Sequence, residues 1–237
     1  MPGEYERRGE DLEKPVDPEE LTEEEGTTLV RLARKSVEYF FKNRSIMPLP
    51  DNLPPRLLRP GAAFVTIEKL VDGERSLRGC IGVIRPIDKL AKVVVEVALE
   101  SAFNDPRFPP LREEELDSVI FEVSVLSDME YIGDSPQERV SNVVIGRDGL
   151  LVVDTLTGRQ GLLLPEVPID YMWDVETFLS QTCVKAGLYP SCWKSKTVKV
   201  YRFRARVWWE KSPRGPIEER NLREEYLRKL RETKPLK

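Results

Sequence analysis

The residue types best suited to chemistry in this 237-residue chain lie in SLRGCIGVIRP, residues 76–86. Cys80 sits between Gly79 and Gly82, two residues after Arg78. In a strand, alternate side chains share a face. Ser76, Arg78, Cys80 and Gly82 then point one way, and Leu77, Gly79 and Ile81 the other. Co-facial residues two apart are separated by roughly 6–7 Å along the strand. A guanidinium at that range favours the thiolate, the nucleophilic form of sulfur. Glycines at 79 and 82 let a ligand or a second backbone approach closely. Cysteine is also among the most buried residue types, so the same pattern describes a packed strand. Periodicity makes Arg78 and Cys80 co-facial; it does not say whether that face is open.

Other segments offer polar groups. NDPRFPPL (104–111) holds Asn104, Asp105 and Arg107 just past a helical pattern. It reads either as a loop presenting Arg107 to an anion or as an Asp-Pro turn closed by an ion pair. Glu166 and Asp174 form a carboxylate pair suited to acid–base work if they converge. The Trp173-Asp174 step reads equally as a helix N-cap with an aromatic staple. Arg202, Arg204 and Arg206 make a basic stripe, with Lys194, Lys196 and Lys199 before it. Trp208 and Trp209 beside it are suited to stacking on bases, and a charged edge strand has the same look. Cys183 falls on an apolar helical stripe and reads as core. Cys192 follows nine residues later, a separation that matches no familiar metal spacing. A disulfide between them requires the fold to bring them together.

The composition excludes much. The chain has no histidine, which removes Cys-His and Ser-His pairs and imidazole metal ligation. Three cysteines cannot build a four-cysteine zinc site, and their odd number argues against a disulfide framework. The reading is a reduced, cytoplasmic protein: no apolar run approaches the ~20 residues of a membrane span, and the N-terminus has no apolar signal region. A 33% charged content with 19 prolines leans towards a thermophile. Residues 1–26 hold eleven acids against three bases, so this head reads as disordered or loosely docked. The rest is mildly basic, too weakly to imply nucleic acid by itself.

Several elements must position these residues. Residues 27–43 have helical spacing of Leu29, Leu32, Ala33, Val37, Phe40 and Phe41, with Thr27 or Thr28 as cap. Residues 47–61 are proline-rich and read as an extended loop. AAFVTIEKL and SLRGCIGVI read as a hairpin turning at Asp72-Gly73. Residues 87–105 form a second helix, capped by Asp88 and ended before Pro106. In SVIFEVSVLS (118–127), Val119, Phe121, Val123 and Val125 alternate with Glu122 and Ser124. Residues 141–167 read as three strands with turns at Asp148-Gly149 and Thr157-Gly158. Residues 173–188 are a third helix closed by Gly187, 197–209 a long strand, and 216–237 a charged helical tail. Hairpins without regular βαβ alternation give an α+β chain with antiparallel sheets.

Seven stretches, LRGCIG, SAFNDPRFPPL, FEVSVLS, GRDGL, GLLLPEV, WDVETFLSQTCVKAGL and VKVYRF, occur in an order and spacing that resembles the AMMECR family. The likeness runs from about residue 27 to 209, leaving the acidic extension (1–26) and the charged tail (210–237) outside it. The resemblance implies an α+β fold of two unequal lobes, each an antiparallel sheet with flanking helices. The larger lobe would span 27–127 with 195–209 and the smaller 128–194. It also implies that LRGCIG lies near a surface between the lobes, and that the chain is similar to the stand-alone archaeal members. The family has no assigned reaction or cofactor, but its links to Memo-like and radical-SAM proteins imply a shared pathway. Many prokaryotic relatives carry Gln at the position of Glu166, which argues against a family-wide carboxylate there.

Three functional readings follow. In the first, Cys80 is a nucleophile or thiol carrier, Arg78 activates it, and Asn104, Asp105 and Arg107 with Gly79 and Gly82 accommodate substrate. In the second, the segment is a docking surface for a protein partner or RNA, with Arg202, Arg204 and Arg206 as a basic rim. In the third it serves packing alone.

Overall fold

The computed structural model describes residues 14–71 and 73–233. Residues 1–13, most of the acidic head, lie outside the described residues, as do Asp72 of the expected hairpin turn and the last four residues. The chain divides into two compact units: residues 14–126 with 206–219, and residues 127–205 with 220–233. Every strand pairing is antiparallel, and helices flank the strands, as an α+β chain requires.

In the first unit, β1 (Pro60–Val71) pairs on one side with β2 (Glu74–Gly82) and on the other with β4 (Val119–Leu126). Strand β3 (Asp88–Lys89) pairs with the start of β1, and β9 (Ile217–Glu219) with the end of β8 (Val198–Glu210). Helices α1 (Glu23–Asn43) and α2 (Leu90–Phe103) cover one sheet face. Ala63, Val65, Ile67, Phe121, Val123 and Val125 meet Leu29, Val37, Val94 and Ala98 there, all buried. Period-two and period-3.6 apolar spacings converge on this core.

Helix α1 starts four residues earlier than its apolar spacing suggests. Thr22 closes a capping box: its hydroxyl accepts the Glu25 N–H at 3.2 Å, and the Glu25 carboxylate accepts the Thr22 N–H at 2.8 Å. The described part of the acidic head is docked, not loose. Val16 and Leu21 are buried, and the Val16 N–H donates to the Pro60 carbonyl at 2.8 Å. The proline-rich loop is not wholly extended; Pro55–Leu58 form one 3-10 turn that buries Leu57. Asp88 does not cap α2: it accepts from Lys89 N and Lys92 Nζ. Gly26 has no room for a side chain, because the Trp208 indole packs directly on it. Trp208 is therefore core, not a base-stacking platform.

A buried ion pair crosses this unit. Arg34 on α1 donates to Glu210 at 2.6 and 2.5 Å and to the carbonyls of Leu116 and Val119. Glu210 in turn accepts the Phe121 N–H at 3.0 Å. Each buried charge is thus paired and hydrogen-bonded, the condition for tolerating it inside.

Strand β4 departs from its alternating pattern. Glu122 and Ser124 read as a solvated face, yet all eight residues of the strand are buried. Glu122 is 2% exposed and Ser124 fully buried.

In the second unit, the first part of β8 pairs with β5 (Glu130–Tyr131) and β6 (Asp148–Asp154), and β6 with β7 (Gln160–Leu163). Only two strands, not three, occupy residues 141–167. The Asp148-Gly149 step is not a turn; it opens β6. The Asp148 carboxylate is fully buried and accepts from Val144 N at 2.8 Å, so the chain turns earlier, at Gly146 with φ +84°. The β6–β7 turn does use Gly158, at φ +72°.

Helices α3 (Pro136–Ser141), α4 (Val167–Asp170), α5 (Val175–Lys185) and α6 (Leu222–Thr233) complete this unit. Asp174 caps α5 by accepting Thr177 N at 2.8 Å, the structural reading of the Trp-Asp step. The charged tail is helical and tethered: Arg223 donates to Ile145 O, and Lys229 to Ile169 O and Asp170. Arg139, fully buried, donates to the carbonyls of Gly133, Trp193, Ser195 and Val198. Cys183 and Cys192 form a buried disulfide with a Cα–Cα distance of 5.9 Å. This corrects the expectation of a fully reduced chain: α5 turns back at Gly187 and sets Cys192 against it.

Candidate functional site

The LRGCIG segment and the end of α2 build one cluster. Their joint geometry corrects the expected Arg78–Cys80 pair. The β1–β2 register runs Thr66↔Cys80 and Ile67↔Gly79, then shifts to Glu68↔Leu77. Arg78 is the extra residue of this bulge, and a bulge re-aims the side chain it carries. Its guanidinium turns to Glu115, at 3.0 Å (Nε–Oε1) and 3.1 Å (Nη2–Oε2), and to the carbonyls of Pro109 and Pro110. Both side chains are nearly buried, and the Arg78 bonds hold the Glu115 carboxyl down to about 2.

Arg107 takes the place beside Cys80. Its Nη2 donates to the Cys80 carbonyl at 3.1 Å, and its positive charge is reinforced first by Asp105 and also by the Cys80 sulfur. Asp105 organises the pair. It is almost wholly buried, receives Arg107 Nε and Nη2 at 2.9 and 2.6 Å, and accepts the Cys80 N–H at 2.8 Å. Those Arg107 bonds, followed by the Cys80 and Arg107 backbone N–H groups, hold its carboxyl well below the usual range. Charge-assisted bonds of this kind fix geometry more firmly than neutral ones. Asn104 stays on the surface, bonded to Glu100 of its own helix at 3.1 Å.

The two glycines serve close packing. A side chain on Gly79 would collide with the Ser101 carbonyl of α2, and one on Gly82 with the Phe64 ring and Ala63 carbonyl. Neither glycine offers open space to a ligand. Ser101 also joins the strands, accepting Ile81 N at 2.9 Å and donating to Val65 O at 2.7 Å. Cys80 is half-buried, and its sulfur accepts the Thr66 hydroxyl at 3.4 Å. It is the one cysteine outside a disulfide, because the other two are bonded to each other.

Residue reasoning missed Thr66, Ser101 and Glu115. Ser101 lies in the last turn of α2, and no local pattern marks it as a partner of β2. Nothing local marks Glu115, whose partner is 37 positions away.

The basic stripe is largely spent. Arg202 makes two bonds to Glu130, at 2.9 and 2.7 Å, and one to Asn142 O. Arg206 is held by Glu219 at 2.6 Å twice, by Glu23, and by the carbonyls of Pro18 and Leu21. Arg204 also has an interaction partner. Lys199 pairs with Asp134 at 2.7 Å. Among the described residues, no three His, Cys, Asp or Glu side chains converge as metal ligands would, and no helix is long and apolar enough to cross a membrane.

This pairing of a bulged LRGCIG strand with an Asp-Pro-Arg loop sits in a chain whose residues 30–208 match the AMMECR1 family model, and the chain belongs to that family. Among its relatives are uncharacterised archaeal proteins. One from Thermococcus onnurineus is 44% identical over 203 residues, covering 85% of this chain and 98% of the relative. One from Aeropyrum pernix is 46% identical over 211 residues, covering 89% and 90%. The crystal structure of an uncharacterised Pyrococcus horikoshii protein, 42% identical, superposes with a TM-score of 0.80 over 84% of this chain and 98% of its own.

Proposed function

We propose that this AMMECR1-domain protein works through the Cys80 thiol, as an enzyme or as the thiol-bearing component of a modification pathway. The observation that supports this is the placement of Arg107 against Cys80 by a buried Asp105. A guanidinium beside a sulfur favours the thiolate. The Arg107 side chain is 47% exposed, so it can also meet an anionic group on a substrate while Cys80 attacks a neighbouring electrophilic atom. Arg78, named by periodicity as the activator, has a supporting role through Glu115. A thiol function needs a reduced Cys80, which suits the cytoplasm. The Cys183–Cys192 bond is compatible with that location, since intracellular proteins of hyperthermophilic archaea carry disulfides. The pathway partners implied by the family, Memo-like and radical-SAM proteins, are natural sources of such a substrate.

The test is alkylation of the native protein with iodoacetamide at neutral pH, read by mass. Cys80 should react in the folded state, and Arg107→Ala should slow it about tenfold or more. A native protein left unmodified until it unfolds would overturn the reading. The engagement of Arg78, Gly79 and Ser101 in packing favours a second reading, a non-catalytic docking surface for a protein partner around the exposed Leu77. Cys80→Ser separates the two, because a docking surface survives loss of the thiolate.

A further inference from the structure

Between Thr177 and Trp209 the chain has no acidic residue, so every cation there must find its counter-charge elsewhere. Lys199, Arg202 and Arg206 find theirs in Asp134, Glu130 and Glu219. Lys185, Lys194 and Lys196 do not: among the described residues none of them pairs with a carboxylate, and all three are exposed. Lys194 lies over the Trp193 ring instead, 4.7 Å from its centroid. Single surface lysines need no explanation. These three gain a meaning from what the fold sets beside them.

The turn between β6 and β7 stands between the two lysine-bearing segments. On one side, Arg159 Nη1 donates to Gly187 O at 2.9 Å, and Gly161 packs on the backbone of Ala186. On the other, Thr155 N and Oγ1 both donate to Thr197 O, at 2.9 and 2.8 Å. The Cys183–Cys192 bond ties the lysine segments to each other. Exposed Arg159, also without a carboxylate among the described residues, thereby joins the three lysines at one end of the second unit. The acid of this turn, Asp154, does not neutralise them. It is 7% exposed and accepts Leu156 N at 3.2 Å and Thr157 Oγ1 at 2.6 Å. Two large side chains stand out among the cations: Leu156 is 78% exposed and Tyr189 61%. A braced frame that holds open cations around an outward ring has the parts of a single-strand platform, where cations follow phosphates and an aromatic face takes a base.

We propose that this end of the second unit binds single-stranded nucleic acid. Lys185, Lys194, Lys196 and Arg159 meet phosphates, Tyr189 stacks on a base, and Leu156 adds apolar contact. An acidic peptide would answer the cations but give the ring no flat partner. Nothing in the cluster is placed to read a 2′-hydroxyl, so RNA and DNA strands should bind alike. The surface is separate from the Arg202–Arg206 stripe, whose charges are spent, and does not depend on Cys80, which lies in the first unit.

The test is fluorescence anisotropy of the full chain with labelled oligo(U) and oligo(dT) of about 16 nucleotides. Log affinity should fall with log salt with a slope of about −3, as four single-strand phosphate contacts require. Lys194→Ala with Lys196→Ala should bring the slope to about −1.5. Tyr189→Ala should weaken binding at least about fivefold at unchanged slope, and Tyr189→Phe, which keeps the ring, should restore it. Each variant is first checked for native melting. If the double variant does not fold, Lys185→Ala decides, with a slope smaller by about 0.7. No binding at low salt, an unchanged slope in the lysine variants, or wild-type affinity in Tyr189→Ala overturns the proposal. Equal affinity for a duplex, for polyglutamate or for phosphatidylglycerol vesicles overturns it too, because the surface would then recognise negative charge alone.

Discussion

Arg78 and Glu115 meet side by side, with two parallel bonds of 3.0 and 3.1 Å. The side chains are 11% and 12% exposed. Glu115→Gln leaves the guanidinium half-paired and should destabilise the protein by about 3 kcal/mol. The pH dependence follows from the same contact. The Glu115 carboxyl titrates at about 2 in the folded protein, against 4.5 ordinarily. A depressed folded value means the stabilisation is present above the unfolded value and lost as pH falls through the folded one. Wild type and Glu115→Gln should therefore differ fully in denaturant midpoint at pH 6 and converge towards pH 2. A constant difference across that range would refute the assignment.

Gly79 lies under the last turn of α2, where a methyl group would strike the Ser101 carbonyl. Backbone cannot yield as a side-chain tip can. Gly79→Ala should cost about 3 kcal/mol, the upper part of the overpacking range. Chemical denaturation measures it. A near-neutral result would mean that α2 moves freely away from β2.

How much of this was legible beforehand divides by range. The core elements, the α+β class and the family likeness follow from short-range spacing and motif order. The capping box at Thr22 and Glu25 was also readable. The site was half readable. Periodicity picked Cys80, and the Asp-Pro-Arg loop was singled out separately. That the loop and not Arg78 supplies the cation depends on one extra residue in β2, and a bulge leaves no local mark. Strand β4 misled for a related reason: alternation reports chemistry on two faces, not whether both are covered. The disulfide needed a turn geometry that nine residues of sequence do not specify.

The Cys183–Cys192 bond makes a distinct forecast. Both sulfurs are buried, so alkylation without reductant should add one group per chain even after unfolding, and three only after unfolding with reductant. Cys192→Ala opens a loop of about ten residues and should cost about 3 kcal/mol in the loop-entropy account. Three adducts without reductant would show that the bond does not form.

Arg206 separates the stability role of the basic stripe from an RNA role. With Glu219, Glu23 and two carbonyls as partners, Arg206→Ala should lower the midpoint by about 2–3 kcal/mol worth of stability. Retention on an RNA homopolymer at low salt should not change. A salt-sensitive loss of RNA binding with unaltered stability would reverse that conclusion.

Asp105 and Arg107 have a consequence for the behaviour of many molecules together. They occupy the N–H and the carbonyl of Cys80, the groups with which a free strand margin would template an incoming chain. Such margins are where soluble proteins begin to stack into fibres. A concentrated solution of this protein is thereby guarded at Cys80 on the outermost strand, β2, by two side chains that a reactive thiol would also need.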